Sequence, residues 1–408
     1  MIRLSEGKNK VLPWLLILAV WSTTFVTAQS TYEKPRTIVT TDGEIDDVDS
    51  FIRMLLYANE FDIEGLVYSS SMWHYKGDGK GTKFVSEMEM TKRMYGERTD
   101  LRWPGTQWMQ GLIDAYEEVH PNLTLHAEGF PTPSYLRSLV KVGNIDFEGA
   151  MEKDTEGSNF IKSKLLDEHI INGHGPLTKR YYSYGDGQKQ EGDDEHIHGD
   201  PTKLQNAQWG SFGKNDFISE GDSPAFLHLI DVGLDNLEHP DYGGWGGRLK
   251  PSESNPGRWE DGEEVAEYNP YTQKRDKAYP QTRWIKTLQL DFAARADWCV
   301  KAFDEANHAP KVTLNHPDQV KVDPGDVVQL SGEATDPDGD ALTYLWWPYQ
   351  EVGTYKGDLV IKELNTAEAS LKIPEDIKEG ETIHIILEVA DAQFPTMTRY
   401  ERLVLTAR

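Results

Sequence analysis

Residues 36–69 constrain the fold most strongly, because a strand, a helix and a second strand follow one another there. The β-branched run Thr37 to Thr41 and the run Ile63 to Ser69 each predict a strand. Between them, Val48, Phe51, Ile52, Leu55 and Ala58 recur at helical spacing. About twenty residues separate the strands, which is the length of a crossover connection, so the strands should be parallel. This pattern predicts an α/β domain with a parallel sheet.

Further helical patterns continue this organisation towards residue 308. They cover residues 84–95, 108–118, 135–142, 159–168, 224–234 and 284–306. Long Gly-, Asp- and Trp-rich loops at 185–221 and 242–280 lie between them. Loops of this length in a compact domain are either functional or a sign that an element has been missed.

The pattern changes near Asn307 and becomes typical of a β-sandwich. Short alternating runs lie at 327–330, 342–346, 383–389 and 402–405, separated by turn residues, and Trp346 is the predicted core aromatic. We therefore predict an α/β domain at 29–308 and an all-β immunoglobulin-like sandwich at 309–408. Residues 325–340 resemble modules of the polycystic-kidney-disease or cadherin type. Their three acids, Asp336, Asp338 and Asp340, form either a calcium site or a solvated turn.

Residues 1–28 predict a cleaved secretory signal peptide. Three basic residues precede an apolar stretch from Val11 to Trp21, and Val26-Thr27-Ala28 form a small-residue exit. The alternative is an uncleaved membrane anchor, although the apolar stretch is short for a span. We expect a periplasmic or secreted bacterial protein that has no contact with the membrane after cleavage.

Composition excludes some partners and narrows the choice of metal. The 408 residues contain 42 Lys+Arg and 68 Asp+Glu, a formal charge of −26, which disfavours binding to nucleic acid. Cys299 is the one cysteine, so an internal disulfide and a cysteine-rich zinc site are excluded. We expect this thiol to be buried and inert. An acid-rich, thiol-poor chain favours calcium-type ligation.

The turn after the first strand carries the predicted chemistry. Asp42, Glu44, Asp46 and Asp47 lie within six residues, where the strand ends and the helix begins. Open α/β sheets bind ligands at this edge. One acid would suffice to cap the helix, whereas four close carboxylates repel one another unless a divalent cation compensates them. Both interpretations stay open, and a calcium site is the prediction.

This segment resembles the nucleoside hydrolase signature, a strand followed by Asp-x-Asp-x-x-x-Asp-Asp. Thr40 stands in place of the first Asp, and Asp42, Asp46 and Asp47 occupy the other three positions. The resemblance implies that Asp42 and Asp47 are calcium ligands and that Asp46 is the general base for an attacking water. Asp222 resembles the last calcium ligand of that family, with helix capping as the alternative.

Segments along most of the chain resemble a bacterial family of nucleoside-hydrolase-like proteins described as cellulose-binding, which carry an immunoglobulin-like C-terminal domain. They are residues 36–44, 68–71, 73–79, 129–132, 153–158, 173–177, 220–224 and 242–248. The family normally has further strand-helix units between the segments 154–158 and 173–176. The resemblance therefore implies that the α/β domain of this chain is shortened.

Several residues within these segments are predicted to contact substrate. His74 follows the second strand and either protonates a leaving group or is structural. Trp73 and Trp245 offer faces for sugar stacking, or alternatively anchor loops. Ser70 belongs to a matching segment, and His174 lies between two glycines with room for a ligand.

Two functions follow from these predictions. The first is an exported calcium-dependent glycosyl hydrolase of the nucleoside hydrolase type, acting on an N- or O-glycosyl bond of a carbohydrate or a nucleoside-like small substrate. The alternative is a non-catalytic protein that binds cellulose or a related polysaccharide and has a structural calcium site. A third interpretation is a degenerate remnant of the enzyme.

Overall fold

The structure is a computed structural model that describes residues 34–71, 74–85, 89–143, 145, 175–178, 220–254, 256–260 and 265–408. Lys34–Arg408 form one compact unit. The predicted signal peptide and the predicted helix at 159–168 lie outside the described residues. Among the described helices, none is both long and apolar enough to span a bilayer.

The elements up to residue 305 are mainly helical. The helices are α1 (Ile45–Leu56), α2 (Glu89–Tyr95), α3 (Trp108–His126), α4 (Pro133–Leu139), α5 (Gly175–Thr178), α6 (Ser223–Leu227), α7 (Tyr279–Thr282) and α8 (Ile285–Asp297), with 3₁₀ turns at Ala58–Glu60 and Phe303–Glu305. The strands are β1 (Arg36–Thr41), β2 (Asp62–Tyr68), β3 (Val140–Val142), β4 (Lys250–Pro251), β5 (Trp259–Glu260), β6 (Glu267–Asn269) and β7 (Lys274–Asp276).

The remaining elements are all strands. They are β8 (Lys311–Leu314), β9 (Gln319–Val322), β10 (Val327–Thr335), β11 (Thr343–Pro348), β12 (Ile361–Lys362), β13 (Glu368–Lys372), β14 (Thr382–Ala390) and β15 (Thr398–Ala407).

A parallel sheet with the order β1-β2-β3 forms the N-terminal part, which confirms the predicted α/β class. Thr41 pairs with Tyr68 at the carboxyl ends of the first two strands. Helix α1 packs its apolar face into the core, where Phe51, Ile52 and Leu55 are buried. Complete burial of each such side chain contributes about 1.5–3 kcal/mol to folding.

Several predicted helices have different bounds in the structure. The helix predicted at 135–142 ends at Leu139, because Val140–Val142 pair with Leu66–Tyr68 and extend the sheet. The helix predicted at 84–95 begins at Glu89, since Phe84 forms a bridge with Arg98. Helix α3 continues to His126, whereas α6 and α8 are shorter than predicted.

The C-terminal part is the predicted all-β sandwich. Its two four-stranded sheets have the orders β12-β13-β10-β8 and β11-β14-β15-β9. Trp346 is 1% exposed and lies in the core between them, as its position in the sequence predicts. The boundary at residue 308 stays a prediction.

Helix α8 and strand β15 join the two parts through buried polar contacts. The carboxylate of Asp291 accepts hydrogen bonds from Tyr57 Oη (2.7 Å), Arg295 Nε (3.2 Å) and Arg399 Nη1 (2.8 Å). Trp284 and Tyr400 pack edge to face nearby, with ring centroids 5.5 Å apart. One hydrophobic core therefore includes residues from both parts.

Candidate metal centre

The acidic turn between β1 and α1 is shaped by a close approach to α3. Gly43 has a φ of +81°, and a Cβ at this position would lie 2.6 Å from Trp108 Nε1 and 2.7 Å from Pro104 Cγ. A residue with a side chain would be strained there and would collide with the indole. The glycine thus lets the turn lie against α3 and brings its acids to the carboxyl end of the sheet.

Asp47 is the central carboxylate of this turn. Its Oδ1 accepts hydrogen bonds from Thr41 Oγ1 and from the backbone N–H of Asp42 (3.0 Å), and its Oδ2 accepts one from the backbone N–H of Glu44 (3.1 Å). Burial raises the pKa of Asp47 well above its usual range, and the neighbouring carboxylates Asp42 and Asp46 raise this pKa further. A cation beside these three groups would offset both effects.

Asp222 reaches the same place because a buried ion pair holds its segment against α1. Arg53 Nε lies 2.6 Å from Glu220 Oε2, and Arg53 Nη2 lies 2.8 Å from Glu220 Oε1. Both side chains are fully buried. Ser223 Oγ donates to Glu220 Oε2 (2.8 Å) and contacts Ser50 Oγ (3.0 Å). Since Asp222 lies between Glu220 and Ser223, these contacts fix its position beside the start of α1.

Two groups of donor atoms result. The first group consists of Asp46, Asp47 and Asp222, and the second of Asp42, Glu44 and His74. In each group the possible ligand atoms lie within 4.8 Å of one another. Each group can hold a metal ion, and the electrostatic interaction between Asp42 and Asp47 connects them. The first group offers only oxygen donors, as hard cations require. The acids predicted to bind the ion are therefore adjacent, with the predicted base Asp46 among them.

His74 lies beneath the acidic turn. Its ring is completely buried, with Nδ1 3.3 Å from Glu44 Oε1 and 3.8 Å from Asp42 Oδ2. Arg102 Nη1 approaches the same Glu44 oxygen at 3.6 Å. His74 therefore contacts the acids of the turn, and its role towards a leaving group stays a prediction.

The predicted substrate-binding residues are distributed differently. Ser70 is buried just after β2, close to the carboxyl end of the sheet. Trp245 is 1% exposed and belongs to the core, where Arg399 lies over its ring at 5.9 Å. This burial removes it from the surface and favours the anchoring interpretation. Trp73 and His174 lie outside the described residues.

Two further acids belong to this site. Glu44 was part of the acidic turn in the sequence but had no assigned role, and its carboxylate lies closer to His74 Nδ1 than that of Asp42 does. Glu220 was not singled out. Its position two residues before Asp222 could have pointed to it as a neighbour of the site. Its pairing with Arg53 could not be predicted, because the two residues are 167 positions apart in the sequence.

Comparison with known protein families identifies both parts of the chain. Residues 36–170 and 162–249 match the family described as "Cellulose-binding Sde182, nucleoside hydrolase-like domain". Residues 327–407 match "Cellulose-binding protein Sde0182, C-terminal domain". The two matched segments of the first family meet at 162–170, where the sequence predicts the shortening. No curated protein matches the chain.

A solved structure supports the fold. A nucleoside hydrolase-related protein from Saccharophagus degradans, described as associated with carbohydrate metabolism, matches with a TM-score of 0.61 and 22% identity, covering 92% of this chain and 100% of that one. Murine CRIg (12% identity, TM-score 0.18) and a chimeric titin Z1Z2 (17% identity, TM-score 0.16) each match 25% of this chain over 99% of their own length. Their TM-scores are too low to indicate a shared fold. This chain belongs to the family of cellulose-binding Sde182 proteins with a nucleoside hydrolase-like domain.

Proposed function

We propose that this protein is an exported, calcium-dependent hydrolase that cleaves a glycosyl bond of a carbohydrate or nucleoside-like substrate. The observation that carries the proposal is the convergence of Asp46, Asp47 and Asp222 at the carboxyl end of the parallel sheet. Capping of α1 alone would explain Asp47, but it would not explain why a buried ion pair holds Asp222 beside the same acids.

The residues present fit a calcium ion. Asp47, Asp222 and Asp42 would hold it, since their donors are all oxygens and the neighbouring carboxylates Asp42 and Asp47 repel each other. A bound calcium ion supplies a positive charge that acidifies a nearby water and polarises sugar hydroxyls. His74 and Arg102 act as positioning residues, because they contact Glu44 within the turn.

Asp46 is the proposed general base. It is half-buried, in contrast to the buried Asp47, so it is open to solvent while lying within the same group of acids. It lies in the first turn of α1, where the partial positive charge of the helix amino terminus attracts acidic side chains. An ionised carboxylate beside the site can accept the proton of a water that attacks the anomeric carbon.

The substrate class follows from the family description and from charge. The family is described as cellulose-binding, and the Saccharophagus relative is described as associated with carbohydrate metabolism. A sugar with neutral hydroxyls is compatible with a chain of formal charge −26, which would repel polyanions. A polysaccharide substrate also agrees with the predicted export to the periplasm or the medium.

A second candidate is a polysaccharide-binding protein without catalysis, which the words "cellulose-binding" in the family description favour. In that case the calcium ion is structural, and aromatic side chains hold the glycan. Since Trp245 is buried, the exposed rings of Tyr268 and Tyr271 on the hairpin of β6 and β7 are better placed for stacking. Tyr271 is 89% exposed.

The test is Asp46→Asn, with Asp62→Asn as a matched control at an exposed position of β2. Release of reducing sugar or nucleobase is measured on a panel of glycans and nucleosides with calcium and with chelator. We expect activity to fall by about 10²–10⁴-fold in Asp46→Asn, because the base is removed. The control should keep full activity, and both variants should melt cooperatively.

The outcomes separate the two candidates. Full activity of Asp46→Asn would refute the role of Asp46. Calcium-dependent retention on cellulose without release of any sugar or nucleobase by the wild-type protein would favour the binding protein. In that case Tyr271→Ala tests the stacking surface, because it removes an exposed ring. We expect this variant to be retained less on cellulose than the wild-type protein.

A further inference from the structure

A second group of acids lies at the start of the sandwich, in the loop between β10 and β11. Asp336, Asp338 and Asp340 have ligand atoms within 4.8 Å of one another. Asp336 Oδ1 accepts hydrogen bonds from the backbone N–H groups of Asp338 (2.9 Å) and Asp340 (3.0 Å). These bonds fold the loop back on itself. They are also what an ordinary solvated turn shows, so the loop alone does not define a site.

A fourth acid from another loop approaches this group. Asp391 lies between β14 and β15 and is 4% exposed. Burial, together with the charges of Asp336 and Asp340, raises the pKa of Asp391 to about 7. The pKa of Asp340 is itself raised by burial and by Asp336 and Asp338. Among the described residues, the charged groups acting on Asp340 are thus other acids.

Asn307 gives the independent evidence for a ligand. Its side chain is 1% exposed, and its Nδ2 donates to Asp391 Oδ2 (3.0 Å) and to the carbonyl of Pro395 (2.8 Å). Both partners are acceptors, so the orientation of the amide is fixed and Oδ1 is its remaining acceptor. In the described part of the chain, this buried Oδ1 has no hydrogen-bond donor. A buried amide oxygen without a donor loses its hydrogen bonds to water without replacement, which disfavours folding.

Two carboxylate oxygens share this condition. Asp336 Oδ2 and Asp340 Oδ2 are also buried and lack a hydrogen-bond donor within the described ranges. The next residue after Asn307 connects it to the loop, since the backbone N–H of His308 donates to Asp338 Oδ2 (2.7 Å) and His308 Nδ1 lies 2.9 Å from Asp338 Oδ1. Asp338 therefore pairs with His308, while Asp336 Oδ2, Asp340 Oδ2 and Asn307 Oδ1 have no hydrogen-bond donor among the residues that the structure describes.

We propose a calcium site formed by Asn307 Oδ1 together with the carboxylates of Asp336, Asp340 and Asp391. One cation would satisfy three buried oxygens and offset three neighbouring negative charges. Oxygen-only donors from a side-chain amide and several carboxylates suit calcium, whereas magnesium retains more of its water. The ion would link the segment that follows α8 to two loops of the sandwich, and so stabilise the connection between the two parts of the chain.

The test uses the full chain in a background of Asp42→Asn and Asp222→Asn, which removes the charge of two of the three residues proposed to hold calcium at the acidic turn. Calcium binding is measured by isothermal titration, and the melting temperature is measured with calcium, magnesium or chelator. Asp340→Asn removes the negative charge and one oxygen of a proposed ligand on a half-buried loop. Asp323→Asn is the control, because it makes the same change at an exposed turn of the sandwich.

We expect the background protein to bind one calcium ion and to melt at higher temperature with calcium than with chelator. Asp340→Asn should weaken binding by about 10-fold or more and abolish the rise in melting temperature, because one charged ligand is lost. Asp323→Asn should match the background protein. Absence of calcium binding at about 1 mM, which is the range of extracellular calcium modules, would overturn the proposal. Equal affinity of Asp340→Asn and Asp323→Asn would overturn it as well.

Discussion

The buried ion pair between Arg53 and Glu220 supports a quantitative prediction, because it fixes the segment that carries Asp222. In Glu220→Gln the shape of the side chain is kept and its charge is lost. The guanidinium of Arg53 then stays fully buried, over the ring of Phe292 at 3.8 Å and 2.9 Å from Gln289 Oε1, without its carboxylate. Removal of one partner from a buried pair costs about 3–5 kcal/mol. We expect a loss of unfolding free energy in this range.

The assay is urea denaturation followed by tryptophan fluorescence, in the presence of chelator so that the affinity for metal does not contribute. Glu64→Gln is the matched control, because it makes the same substitution in the ion pair with Arg36, whose side chain is 75% exposed. Exposed pairs contribute about 0–1 kcal/mol, so this control should unfold close to the wild-type protein.

A double variant tests whether the cost comes from the unpaired charge. Arg53→Met combined with Glu220→Leu removes both charges and keeps apolar volume, and replacement of buried pairs in this way is often neutral. We expect the double variant to be more stable than Glu220→Gln by about 2 kcal/mol or more. A Glu220→Gln protein within about 1 kcal/mol of the wild type, or indistinguishable from Glu64→Gln, would refute the reasoning.

Two further predictions concern other buried groups. Burial, together with the charge of Asp235, raises the pKa of Glu401 from its ordinary 4.5 to about 8. Between pH 4.5 and pH 8, Glu401 is therefore ionised in the unfolded chain but protonated in the folded protein, so the free energy of unfolding falls as the pH rises. Glu401→Gln should therefore gain about 1 kcal/mol or more over wild type at pH 8 relative to pH 5 in urea titrations, and an equal difference at both values would contradict this. Cys299 is buried and its pKa is raised by burial, so a thiol reagent should label it only in denaturant, and fast labelling of the native protein would show that α8 is open.

Local patterns predicted the fold class because the evidence for each element lies within a few residues. The alternation around Trp346 and the crossover between Thr41 and Ile63 each predict their element from short-range spacing. The helix predicted at 135–142 was wrong in its last turn, because Val140 and Val142 pair with a strand more than 70 residues away in the sequence. Pairing over such a distance is not encoded in local periodicity.

The candidate site was predictable in part for the same reason. Asp42, Asp46 and Asp47 lie in one turn, so a short motif identifies them as neighbours. The burial of Trp245 was not predictable, because it depends on packing against the distant Arg399 and Tyr400. An aromatic residue in a glycine-rich segment has the same local pattern whether it faces a ligand or the core.

The contacts of Asp291 have a consequence for synthesis of the chain. Tyr57 follows the first helix and Arg399 belongs to the last strand, yet both donate to the same carboxylate. A ribosome makes the chain from the amino terminus, so the first helix waits for its final buried partner until almost all of the protein has been made. A nascent chain that stops before residue 399 would lack one of the three donors to this buried carboxylate. Early α/β segments are therefore the part of this protein with the longest need for protection against aggregation during synthesis.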